Sequence, residues 1–148
     1  MRKFKVIFWV VVCALVVYPI GLLAMSELLS RGEQALGIRR QFPGLEFGLV
    51  RVGGQALYRL ALFFGAGFVV GRKLTERGLT YALITGGVLT LILIAIEVYI
   101  IVTVAVLRGA PFSPEMLKPN LVWCVAALVL QVAFAALGAW VAQRTATG

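Results

Sequence analysis

The sequence contains no histidine, no aspartate and only three serines, Ser26, Ser30 and Ser113. The missing histidine and aspartate remove the usual bundle ligands for zinc and haem, so neither a metal nor another cofactor is expected. The same gap leaves no imidazole to activate a serine. There is also no glycine-rich phosphate loop with its lysine and no nucleophile elbow, so the chain is not expected to be an enzyme. Two cysteines, Cys13 and Cys124, lie inside apolar runs and read as small packing residues rather than a disulfide. Acidic groups are scarce, six against 14 Lys and Arg, for a net charge of +8.

Apolar length is what the chain has in excess. It is 61% hydrophobic and 14% charged with a mean hydropathy of +1.00, whereas soluble domains average ~45–50% apolar and ~25% charged. Four runs approach or exceed the ~20 residues that cross a bilayer: Val6–Met25, Val52–Gly71, Leu79–Leu107 and Leu121–Val141. All should be helical, because a helix satisfies its own backbone in hydrocarbon. The expected fold is an all-α integral membrane protein, one domain over residues 1–148, with four transmembrane helices in one bundle and an amphipathic outer loop between helices 1 and 2.

Met1-Arg-Lys-Phe-Lys5 before an apolar run resembles a secretory signal, but the uncharged stretch is longer than such a segment and its end is a poor cleavage site. It is expected to be a retained first span, kinked near Pro19 and Gly21. In the following connection, Ser30-Arg-Gly-Glu33 has capping-box spacing and predicts the start of a short helix, ended at Pro43-Gly44. From Leu45 the apolar residues alternate, which predicts an extended piece before the second span. Gly71 to Gly78 is a tight basic turn, and Gly86-Gly87 is a plausible flexible point in the overlong third span. Ser113-Pro114 reads as an N-cap and first helical position, and Asn120 as the cap of the last span. Trp123 and Trp140 are spaced like two interfacial anchors.

Small residues mark close helix approach at Gly65, Gly67 and Gly71, at Gly86, and at Ala135, Gly138 and Ala139. The glycines of the second span resemble a nucleotide fingerprint only superficially, since no strand precedes them. Cations lie at the ends of the spans, so anionic lipid headgroups, and not nucleic acid, are the expected partner, with Arg72, Lys73 and Arg77 as contacts. With both termini inside, the inner side holds seven cations over short segments and the outer six over longer ones, which favours cytoplasmic termini. Ten Arg against four Lys fits a GC-rich bacterial gene, so a bacterial cytoplasmic (inner) membrane is expected.

Two charges sit where charge is costly, Arg59 in the second span and Glu97 in the third. Arg59 lies 13 residues from Arg72 and Glu97 lies 20 from Arg77, about 20 Å and about 30 Å above the inner boundary at ~1.5 Å per residue. Side chains lean toward their helix N-terminus, so the two reach toward each other across a hairpin. Such a pair either fixes helix register or makes Glu97 a site for a proton or cation. Tyr58, Tyr81, Tyr99, Thr90, Thr103 and Gln131 are the other polar candidates, each expected to bond helix to helix. The leading expectation is a small non-catalytic accessory subunit or assembly factor of a larger membrane complex, acting by helix packing through the Gly65–Gly71 and Ala135–Ala142 faces and by the amphipathic outer loop, on other membrane subunits or on a second copy. The alternative is a small ion- or proton-coupled transporter or channel using Glu97, and a weaker third is a lipid-interacting protein.

Overall fold

The computed structural model describes residues 2–36, 47–107 and 117–146. They form four helices, α1 (Arg2–Leu36), α2 (Phe47–Lys73), α3 (Gly78–Leu107) and α4 (Leu117–Ala146). Each contains a stretch long and apolar enough to cross a membrane: Lys3–Gly32, Gly53–Lys73, Gly78–Ile100 and Ala126–Ala146. This is the composition of an integral membrane protein. The helix α3 is apolar all round and not on one face, as expected where lipid replaces water as the surrounding.

The core lies along the centre of the bundle. Phe63 of α2, Leu89 of α3 and Ala135 of α4 meet Val11, Ala14 and Tyr18 of α1 in one cluster. A second cluster, nearer the end that carries both termini, joins Val70 and Leu74 to Ala82 and Ala139. The most extensive interface is between α2 and α4. Among the described residues the α1 backbone comes close to those of α2 and α3 but not to that of α4, so it is the peripheral helix.

Small residues explain the tightness of the α2–α4 contact. A Cβ on Gly67 would collide with the Ala135 carbonyl, and one on Gly71 would lie 2.6 Å from Ala139 Cα. From the other side, a Cβ on Gly138 would strike the Phe64 carbonyl and the Phe68 nitrogen. Backbones approach this closely only where side chains are missing. Gly86 of α3 faces Ala135 Cβ at 2.9 Å from its own would-be Cβ.

Several local expectations differ from the structure. Ser30-Arg-Gly-Glu33 does not start a helix; it lies inside α1, which runs unbroken from the first span to Leu36. Extending a helix adds one bond per residue fixed, whereas starting a new one must nucleate again. Glu27 and Arg31, four apart, support that extension with a 2.9 Å ion pair. Residues Phe47 to Arg51 are helical and not extended. Asn120 is no cap, because α4 begins at Leu117. Pro119 sits in the first turn of α4, where its missing N–H leaves no helical bond unmade. Gly86-Gly87 is continuous helix, held where Gly86 meets α4. Pro43-Gly44, Leu45 and Ser113-Pro114, and the side chains of Trp123 and Cys124, lie outside the described residues.

The turn between α2 and α3 shows a division of labour. Arg77, not Gly78, takes the left-handed backbone, with φ at 58°. Gly78 is committed elsewhere. Its would-be Cβ lies 2.7 Å from Gln143 Nε2, the movable end of a side chain, and 3.2 Å from Gly71 Cα, so a side chain there would press on the close approach of α2 and α3. The Leu74 N–H donates to the Val70 carbonyl at 2.9 Å and the Tyr81 N–H to the Arg77 carbonyl at 3.1 Å.

Candidate functional site: an intramembrane charge cluster

The charges of the second and third spans meet. The Arg59 guanidinium, through Nη2, is ion-paired with Glu97 Oε1, and the two side chains keep 27% and 30% of their exposure. The helix geometry accounts for the meeting: α2 descends from Arg59 to the turn and α3 rises from it to Glu97, and both side chains lean toward their helix starts. The remaining difference in height falls within the reach of two long side chains.

A third helix completes the cluster. Tyr18 of α1 is 8% exposed and donates its hydroxyl to Glu97 Oε1 at 3.4 Å. Its ring also lies under the Arg59 guanidinium, 5.5 Å from Cζ to centroid. Tyr58 stacks on Tyr18 at 6.5 Å and donates to the Val17 carbonyl at 2.7 Å. Gly21 makes room for it, since the Tyr58 ring fills the place a Cβ would take. The Pro19–Gly21 segment therefore serves as a seat for an aromatic ring. Within the cluster, Arg59 Nε is buried without a hydrogen-bond partner.

Tyr18 is the member that the sequence reading missed. Its signal was depth: it lies 15 residues from Lys3, about 22 Å along α1, level with Arg59 at about 20 Å. Of the other polar candidates, Thr90 donates to Gly86 at 2.8 Å within its own helix. Tyr99 is 71% exposed, while Gln131 is buried.

Chemically, the cluster is a carboxylate held by a guanidinium and a phenol, walled by apolar side chains. The described residues hold no group of three or more His, Cys, Asp or Glu that could bind a metal. Between α1 and α2 runs an apolar groove of about 530 Å³, lined among others by Trp9, Cys13, Val17, Leu62, Gly65 and Val69. Gly65 lies there and not in a helix interface, for a Cβ on it would meet nothing within 4 Å. The expectation that Gly65 packs against a helix is corrected: in the run Gly65-Ala-Gly67, only Gly67 turns toward α4.

At the end carrying both termini, Arg72 and Lys73 close the last turn of α2, where cations complement the exposed carbonyls. Both are exposed, as is Arg77 in the turn. Lys3 approaches Glu76 at 3.9 Å and the Tyr81 ring at 5.6 Å. Arg144 stacks on Trp140 at 4.1 Å. Comparison of the chain with known protein families, with curated proteins and with solved structures finds no match.

Proposed function

We propose that the chain is a non-catalytic accessory subunit or assembly factor of a membrane complex, and that its docking element is the far end of α1. The supporting observation is length. Thirty-five helical residues span about 52 Å at 1.5 Å per residue, against a hydrocarbon core of ~30 Å. The last turns of α1 therefore stand clear of the hydrocarbon core at the end opposite the termini.

That projection is stiffened and partly apolar. Leu29 reaches the Gly54 position of α2, ending 2.9 Å from where a Cβ would stand. Leu28, on the neighbouring face, is 67% exposed. It lies 25 residues past Lys3, about 38 Å along the helix, beyond the ~30 Å hydrocarbon core and at the level of the far headgroups. An exposed leucine on a braced helix at the membrane surface suits a partner's apolar surface. The small-residue faces are not available for this task, because Gly67, Gly71, Ala135 and Ala139 are spent on one another inside the chain.

The charge cluster supports a scaffold rather than a transporter. Glu97 Oε1 is engaged by both Arg59 and Tyr18, the adjoining groove is apolar, and each described helix is continuous, without the breaks that usually build midplane ion sites. The transport reading draws on one observation, the partial exposure of both charged side chains.

Native mass spectrometry after mild detergent extraction from the source membrane tests the proposal. A stoichiometric complex with other chains, lost in Leu28→Glu while the helical content stays, is expected. A free monomer or homo-oligomer would overturn it and move attention to Glu97→Gln in a liposome flux assay.

A further inference from the structure

The groove between α1 and α2 has an orientation and a charged mouth. Its α1 wall is the stripe Trp9, Cys13, Val17, whose four-residue spacing keeps one face. The preceding member of that stripe is Lys5, which is exposed. Its α2 wall is Leu62, Gly65 and Val69, and the next member of that face, four residues on, is Lys73, also exposed and followed back by Arg72. Both walls thus end in a cation at the same end of the bundle. The only described acid near that end, Glu76, leans to Lys3 and leaves Lys5 and Lys73 without an ion pair among the described residues.

The dimensions select the occupant. From Trp9 to Val17 is eight residues, about 12 Å along α1, close to the ~15 Å hydrocarbon depth of one leaflet. The groove's walls are almost wholly apolar, and it is open along its side. It suits a flexible apolar chain. Its floor is bare because Gly65 carries no side chain into it.

We propose that this groove holds one acyl chain of an anionic phospholipid, with the headgroup phosphate between Lys5 and Lys73. Lys73 leans back toward the start of α2, and so toward the groove, while Arg72 adds charge beside it. The cations give the preference for an anionic over a zwitterionic headgroup, and the groove gives the position. This site is independent of the partner that the far end of α1 would hold.

Trp9 provides the test, because it lines the groove. The full chain carrying Trp123→Phe and Trp140→Phe, so that Trp9 alone emits, is placed in phosphatidylcholine vesicles containing a minor fraction of either brominated phosphatidylglycerol or brominated phosphatidylcholine. Stronger quenching by the phosphatidylglycerol is expected, with apparent affinity falling about fivefold for each of Lys5→Gln and Lys73→Gln. Gly65→Leu, which enters open space, is expected to remove the quenching by the anionic lipid while helical content stays. Equal quenching by the two lipids would overturn the proposal, as would quenching that Gly65→Leu leaves unchanged. Trp9 shielded from both lipids would overturn it too, assigning the groove to a second copy or a partner helix.

Discussion

Arg59 and Glu97, 38 positions apart, neutralise each other between two helices joined by a four-residue turn. The pair allows each helix to carry a charge through hydrocarbon, because neither charge faces lipid without its counterpart.

Removing one partner should therefore cost more than removing both. Arg59→Met is expected to lower unfolding free energy by about 2–3 kcal/mol, the scale for a lone charge near a helix centre. Arg59→Met with Glu97→Leu should regain most of it. Reversible unfolding in mixed detergent micelles measures both; a double variant no better than the single one would mean that the pair itself contributes the stability.

The two tyrosines should differ. Tyr58→Phe loses a 2.7 Å bond to a backbone carbonyl and is expected to cost about 0.6–1 kcal/mol. Tyr18→Phe loses a longer hydrogen bond, 3.4 Å to Glu97, and should cost less. Gly21→Ala should be worse than either, since it forces the Tyr58 ring from its seat. The same unfolding assay ranks the three.

Glycine substitutions should separate by contact and not by sequence motif. Gly67→Ala and Gly138→Ala push into backbone on the facing helix and should cost about 1–3 kcal/mol each. Gly65→Ala and Gly87→Ala meet nothing within 4 Å and should be neutral or raise stability by up to ~0.5–1 kcal/mol through helix propensity. Equal losses at Gly65 and Gly67 would show that α2 is turned differently.

In the turn, Arg77→Gly relieves a left-handed non-glycine residue, a strain of about 1–2 kcal/mol that the looser unfolded chain partly offsets. Its melting temperature should match or exceed that of the parent. Gly78→Ala should lower it, because the Cβ would press on Gln143 and Gly71. The reverse order would place the turn's positive φ at Gly78.

Four helices of membrane-crossing length were legible from apolar run length alone, because the bilayer imposes one solution on any long apolar segment. The candidate charges were legible as well, since a lone Arg or Glu stands out in such a run. Helix ends were harder. Whether α1 stops at Met25 or continues to Leu36 depends on support from α2, where Leu29 meets Gly54, and on the Glu27–Arg31 pair. Single-segment signals such as the Ser30–Glu33 spacing carry no information about that neighbour.

Rotation is the quantity that only tertiary structure decides. The run Gly65-Ala-Gly67 offers two glycines 200° apart on a helix of 3.6 residues per turn; the sequence determined that one face of α2 would be close-packed, and the α4 surface of Ala135 and Ala139 decided which. In the same way composition placed Tyr18 in an apolar span, and the packing of α1 on α2 and α3 turned its hydroxyl to Glu97. Hydrophobicity sets which segments enter the membrane; the complementarity of facing surfaces, a property of pairs of helices, sets which side chains meet there.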